Sequence, residues 1–168
     1  MVLGPVCMIC VAAVLPDLFF LSSDRPDLYD LIPRTSHLDE YALVAWCDLP
    51  RGYRSLKQGW ISTGTSACVL GYMMRGGQSV REGQTVQRFI LLPDAGNRMH
   101  SGHRFGDQMI DVNLPPATDV SFSEGRLVWV RGKWRLLAGD INGDQPLYQL
   151  NEARVEPAVA SDIAKYFR

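Results

Sequence analysis

The segment Leu127–Trp134, with the sequence LVWVRGKW, decides the fold of this chain. Its alternate positions form two sets, one mainly apolar and one mixed: Val128, Val130, Gly132 and Trp134, against Leu127, Trp129, Arg131 and Lys133. Because successive side chains of a β-strand point to opposite faces, this period of two predicts a half-buried strand. Gly132 lies inside the segment, where the absent side chain permits the bulge or bend that closes a small barrel.

Four other segments share this strand pattern, and each is bounded by Gly, Pro, Asn or Asp clusters: Ala67–Met74, Val86–Leu92, Gln108–Asn113 and Leu147–Val155. With Leu127–Trp134 they make five strands in about ninety residues, and no long helical pattern separates most of them. The sequence therefore predicts a mainly β fold, a compact antiparallel barrel or sandwich, over residues 65–158.

The flanking segments are less regular. Residues 24–64 are interpreted as a linker with one short helix, in which Ser36 caps the segment His37–Trp46 and apolar residues recur at helical spacing. Residues 159–168 form an amphipathic C-terminal tail, predicted either as a helix docked on the barrel or as a frayed end.

Residues 1–23 are interpreted as a signal-like or membrane-anchor leader. The run Val2–Leu15 carries no charge and has the length of a secretory hydrophobic region, whereas a spanning helix would have to accommodate Asp17 and two prolines. The expectation is an exported protein, periplasmic or membrane-associated, with membrane attachment through this segment. The alternative is a buried N-terminal strand or helix of a cytosolic protein, since the first cation is Arg25.

The overall charge argues against bulk binding of nucleic acid. Seventeen Lys and Arg against eighteen Asp and Glu give a net charge of -1, without the basic excess that a phosphate backbone demands. A basic patch must therefore be local. The candidate ligand-binding residues are Tyr72, Trp129, Arg131 and Lys133, whose types stack on bases and contact phosphate. The alternative is that the aromatic residues pack in the core or at its rim.

The loop around residue 100 holds the candidate metal ligands His100, His103 and Asp107. Imidazole and carboxylate suit zinc or another divalent ion, but most zinc sites need three or four protein ligands, so a solvent-exposed polar loop is the preferred interpretation and no cofactor is expected. No nucleophile elbow, phosphate-binding loop or dinucleotide motif is present, so the chain is not predicted to be an enzyme. Pairing of Cys47 with Cys68 in an oxidising compartment stays open.

Five short motifs resemble, in order and spacing, the uncharacterised bacterial family named domain of unknown function 3299: Leu70–Met73, Phe89–Pro93, Val128–Gly132, Tyr148–Leu150 and Val155–Pro157. The resemblance covers about residues 60–158. It implies an exported, OB-like five-stranded barrel, often encoded beside ABC-type transport systems and sometimes under zinc-responsive control. The family's cysteine is not matched here, and only His100 aligns with its histidine. No enzymatic activity is established for that family.

These observations together predict a non-catalytic exported or membrane-associated binding module, accessory to an ABC-type metal transport system, with a protein partner in that assembly. Its contact surface would be the exposed strand face and the loop Asp94–Gly106. An OB-fold nucleic-acid-binding protein is the alternative. A metal-dependent enzyme is the third.

Overall fold

The computed structural model describes residues 26–49, 61–76, 79–95, 106–140 and 143–168. Within these ranges the elements follow in the order β1 (His37–Leu38), β2 (Tyr41–Val44), β3 (Ser66–Met74), β4 (Thr85–Val86), β5 (Arg88–Leu92), β6 (Ile110–Asn113), β7 (Val120–Ser121), β8 (Leu127–Leu136), β9 (Tyr148–Pro157) and α1 (Ala160–Tyr166). Two short 3-10 helices, Trp46–Asp48 and Gly106–Gln108, lie between strands. The chain is mainly β, as predicted.

Five strands close into a barrel in the order β3-β5-β6-β9-β8 and back to β3. In chain order the ring is first, second, third, fifth, fourth, which is the strand order of an OB barrel. Each strand lies within two residues of its predicted ends. The barrel is largely antiparallel, as predicted, but it is mixed and not purely antiparallel, because β6 and β9 run parallel. Strands of alternating direction cannot close a ring of five, so one parallel pair is required.

The barrel interior is filled by the apolar positions of the five strands. Its members are all under 3% exposed and include Ala67, Val69, Phe89, Leu91, Ile110, Val112, Val128, Val130, Trp134, Tyr148 and Leu150. At Gly71 a Cβ atom would lie 2.5 Å from Cγ of Leu91, so the absent side chain leaves the space that Leu91 occupies. The Trp134 and Tyr148 rings lie 5.2 Å apart between centroids. Burial of this set supplies the main driving force for folding.

A bulge between β8 and β9 sets which side chains share the outer surface. Arg131 pairs with Arg154 and Lys133 with Asn151, so two residues of β9 lie opposite Gly132. One of them, Glu152, has a φ of 52°. At Gly132 a Cβ atom would lie 2.8 Å from the carbonyl oxygen of Asn151, which explains why glycine occupies this position. The bulge predicted at Gly132 is confirmed.

The helix predicted over His37–Trp46 is wrong. The segment forms the hairpin β1–β2, whose turn contains Asp39 with a φ of 56°. β2 then pairs in parallel with β3, and the indole Nε1 of Trp46 donates to the carbonyl oxygen of Leu70 at 2.7 Å. Pairing with a strand some twenty-five residues away in sequence overrides the local helical spacing of the apolar residues.

The C-terminal tail is a docked helix, one of its two predicted forms. The helix α1 packs on Trp129, whose ring centroid lies 5.6 Å from that of Tyr166 and 6.2 Å from that of Phe167. The N-terminal arm, residues 26–34, pairs with the end of the chain, because the backbone amides of Ile32 and Arg168 each donate to the other's carbonyl oxygen. The two ends of the described chain therefore hold each other against the barrel.

The predicted leader, residues 1–23, lies outside the described residues and stays a prediction. Among the residues that are described, no helix combines the length and the apolar character needed to cross a bilayer.

Candidate binding face

Five polar side chains lie together on the outer surface of β5, β6 and β9: Arg88, Asp111, Asn113, Gln149 and Asn151. We name this set the amide face. The strand registers bring it together, because Arg88 pairs with Asn113 and Asp111 with Gln149. Outward positions of neighbouring strands form one continuous surface, so these residues are neighbours although up to 63 positions of sequence separate them, from 88 to 151.

Asp111 is the centre of the amide face and is 1% exposed, the one polar residue in the buried set of the described chain. Its Oδ1 accepts from Nε of Arg88 at 2.6 Å, and its Oδ2 accepts from Nε2 of Gln149 at 2.7 Å and from Nδ2 of Asn113 at 3.2 Å. Three donors offset the cost of burying this carboxylate. The hydrogen bond to Asp111 and its charge raise the pKa of Arg88, which stays cationic.

The remaining hydrogen bonds of the amide face run between the amides themselves. Nδ2 of Asn151 donates to Oε1 of Gln149 at 3.0 Å, and Nδ2 of Asn113 also approaches Oδ1 of Asn151 at 3.5 Å. Gln149 and Asn151 each keep one amide hydrogen beyond these bonds. The side chain of Arg88 is 55% exposed and uses only its Nε within the described chain. The amide face therefore presents the guanidinium donors of Arg88 beside amide groups that both donate and accept.

Cations continue this surface across β8 and β9. Lys133 pairs with Asn151 in the strand register and Arg135 with Gln149, while Arg154 lies one bulge further along β9. We name Lys133, Arg135 and Arg154 the basic strip. All three are exposed, and none forms an ion pair within the described ranges. Nζ of Lys133 donates to Oγ of Ser66 at 2.9 Å.

The four residues predicted to bind a ligand do not lie together on one exposed surface. Tyr72 and Trp129 lie on the outer face of β3 and β8, are 2% and 5% exposed, and donate to the Pro26 carbonyl oxygen and to Oδ2 of Asp162. The N-terminal arm and α1 therefore cover both rings. Arg131 lies beside them over the Tyr41 ring, whereas Lys133 belongs to the basic strip. Their part in binding stays a prediction.

The sequence analysis missed the amide face. A signal was present in β6, where Asp111 stands between the apolar residues Ile110 and Val112, and in β9, where Gln149 and Asn151 flank Leu150. Polar residues at alternate positions of adjacent strands indicate a shared outward surface. What the sequence could not show is that β6 and β9 are neighbours, because their parallel pairing is a long-range contact.

The metal site around residue 100 stays a prediction. His100 and His103 lie outside the described residues, and the backbone of Asp107 lies in the 3-10 helix Gly106–Gln108. Over the ranges described, no group of three His, Cys, Asp or Glu residues is placed to hold an ion.

Two cysteines are described, and neither is in a disulfide. Cys47 and Cys68 both carry a thiol group. Burial raises the pKa of the Cys68 thiol to about 11. Because the thiolate is the reactive form, Cys68 is protonated and inert near neutral pH. Cys7 and Cys10 lie outside the described residues.

Comparison with known proteins gives a match among solved structures. No family model and no curated protein matches the chain. Among solved structures, the crystal structure of a DUF3299 family protein from Pseudomonas aeruginosa PAO1 is similar, with 22% sequence identity and a TM-score of 0.45. The match covers 58% of this chain and 63% of that one, less than two thirds of its length. The resemblance to the DUF3299 family indicated by the sequence motifs is confirmed by this match.

Proposed function

We propose that this protein is a binding module without catalytic activity, and that its ligand contacts the amide face together with the basic strip. The observation that carries the proposal is the buried carboxylate of Asp111, held by three donors on the outer side of the barrel. An ion pair between a buried carboxylate and a half-exposed guanidinium adds little net stability compared with apolar packing. Its effect here is to fix the guanidinium of Arg88 at the surface.

The position of the amide face in the barrel supports the same proposal. β5 and β6 are the second and third strands of the barrel. OB barrels contact oligonucleotides and oligosaccharides on the face of these two strands. A separate small apolar cluster, Met74, Ile90, Leu92 and Met109, packs beside the amide face and shields Asp111 on one side, since Ile90 is its register partner.

The chemistry of the amide face favours binding over turnover. A general base needs a free lone pair directed at the substrate proton. Asp111 already accepts three hydrogen bonds and is closed off from solvent. Export of the module, and a role beside a transport system, remain part of the proposal and rest on the uncharged run Val2–Leu15 and on the family resemblance.

The test is a binding array with the full chain. Immobilised neutral oligosaccharides, acidic oligosaccharides, oligonucleotides and peptides are probed with the wild type and with the Gln149→Ala/Asn151→Ala variant. We expect the wild type to retain one ligand class, the variant to bind it at least about tenfold more weakly, and the recovered ligand to have an unchanged mass. Equal retention by both proteins, or a chemically altered ligand, would contradict the proposal.

A further inference from the structure

We infer that the ligand is an acidic oligosaccharide, a carbohydrate chain bearing carboxylate or sulfate groups, which lies across the basic strip and the amide face. The inference rests on the proposed function and specifies its ligand class. It starts from the balance of hydrogen-bonding groups. Beyond the bonds within the amide face, Arg88 presents its two Nη groups, and Gln149 and Asn151 each present one amide hydrogen. The cationic donors of Arg88 fit anionic acceptor groups, and the amides beside it, which also keep acceptor capacity, fit groups that both donate and accept.

The charge of the surface points in the same direction. Lys133 and Arg135 lie two residues apart on one strand, which places them about 7 Å apart along β8. Arg154 stands directly opposite Arg131 on the neighbouring strand, and like charges in that position destabilise a sheet. Arg131 is neutralised by Asp39 at 3.5 Å and by Glu156 at 3.3 Å, but the basic strip has no such partner in the described chain. An anionic ligand supplies those partners.

The spacing of the cations indicates an extended ligand. The basic strip and Arg88 are distributed over β5, β8 and β9, with the amides of β6 and β9 between them. One small anion contacts one or two such groups, whereas a chain with acidic groups at intervals contacts all of them. The amides between the cations suit hydroxyl groups, which both donate and accept hydrogen bonds.

The absence of stacking groups favours carbohydrate over single-stranded nucleic acid. Proteins that bind single strands stack the bases on aromatic side chains. In the described part of the amide face and the basic strip, no outward residue is aromatic. The rings adjacent to these residues in sequence, Phe89, Trp134 and Tyr148, point into the barrel and are each 2% exposed. The phosphates of a single strand could therefore contact the cations here, but its bases would have no aromatic ring on which to stack.

The experiment measures binding of the full chain to four probes by calorimetry, at low and at high salt. The probes are oligogalacturonate for carboxylate, heparin-derived oligosaccharide for sulfate, neutral dextran oligosaccharide, and oligothymidylate for a single-stranded nucleic acid. We expect binding to one or both acidic oligosaccharides that weakens with salt, and binding to dextran and oligothymidylate at least about tenfold weaker. The first two probes distinguish carboxylate from sulfate recognition.

Two charge-reversal variants with the same change in net charge serve as test and control. Lys133→Glu/Arg135→Glu changes the basic strip, and Arg81→Glu/Arg126→Glu changes the net charge equally at exposed positions elsewhere on the molecule. We expect the first variant to lose at least about tenfold in affinity for the acidic probe and the second to lose less than about twofold. Unchanged thermal unfolding of both variants shows that neither has lost its fold.

The outcomes separate the inference from the proposed function. If dextran binds best and its affinity falls only in Gln149→Ala/Asn151→Ala, the proposed function stands and the inference is overturned. If oligothymidylate binds best through Lys133 and Arg135, the ligand is nucleic acid and the inference is overturned. Equal losses in the two charge-reversal variants, or no binding to either acidic probe, also overturn it.

Discussion

The barrel has two outer surfaces that differ in what covers them. On β3 and β8 the outward residues include Leu70, Tyr72 and Trp129, and the segment after β2, the N-terminal arm and α1 cover them. On β5, β6 and β9 the outward residues include those of the amide face, beside the apolar pair Ile90 and Leu92, and the cations of the basic strip are exposed. The aromatic residues Tyr72 and Trp129 therefore stabilise the fold, whereas the polar residues of the amide face and the basic strip form the surface that is available for binding.

The covered surface should dominate stability. Trp129→Ala removes a ring that contacts Tyr166 and Phe167 and donates to Asp162. We expect a loss of about 3–5 kcal/mol in the free energy of unfolding, measured by urea denaturation. Asn151→Ala on the amide face is the control and should cost under about 1 kcal/mol. A smaller loss for Trp129→Ala than for Asn151→Ala would contradict the claim that the covered surface contributes more to stability than the amide face.

Cys68 gives the covered surface a pH dependence. Burial raises its thiol pKa from 9.0 to about 11, so the unfolded chain releases this proton at lower pH than the folded one. The resulting stability is present below pH 9 and is lost as the pH rises towards 11. We expect the unfolding free energy to fall by up to about 2–3 kcal/mol over this range, as followed by urea titration.

Cys68→Ala is the control for that titration, because it removes the group and keeps a small side chain. The variant should be less stable near neutral pH but should lose less stability between pH 9 and 11 than the wild type. Identical slopes in the two proteins would show that Cys68 is accessible to water in the folded state.

Substitution of Asp111 tests how much the amide face contributes to the free energy of unfolding. Asp111→Ala leaves Arg88, Gln149 and Asn113 without their shared acceptor, and we expect a loss of about 1–3 kcal/mol in unfolding free energy. Arg88→Gln removes one of these donors. If Arg88 and Asp111 act together, the double variant should lose less than the sum of the single losses, and an additive result would contradict the coupling.

The smallest expected effect is at the bulge. Glu152 has a φ of 52°, which glycine adopts without strain. We expect Glu152→Gly to raise the unfolding free energy by about 0.5 kcal/mol, and also to tighten binding of an acidic oligosaccharide, since it removes an anion one residue from Asn151. Calorimetry measures both, and weaker binding would mean that Glu152 itself contacts the ligand.

The alternation of residues predicted the barrel strands because each strand has one face in the core. Val128, Val130 and Trp134 show the pattern, and all three are buried. The hairpin β1–β2 could not be predicted in this way, because the apolar residues between His37 and Trp46 also fit a helix. Only the pairing of β2 with β3, a long-range contact, decides between the two structures.

The candidate site was less predictable than the fold for a physical reason. Alternation assigns Tyr72 and Trp129 to an outward face but does not say what covers that face. The covering segments contain Pro26 and Asp162, which are 46 and 33 residues away from them in sequence. Likewise, Asp111 and Gln149 are 38 residues apart, so their hydrogen bond is visible only in the folded chain.

The central claim is that the ligand lies on the uncovered polar surface. The most direct measurement is arginine footprinting of the full chain, in which a dicarbonyl reagent modifies exposed guanidinium groups and mass spectrometry locates them. In the presence of the acidic oligosaccharide that binds best, the account predicts protection of Arg88, Arg135 and Arg154 and unchanged modification of Arg81 and Arg126. Equal modification of Arg88, Arg135 and Arg154 with and without the oligosaccharide would contradict it.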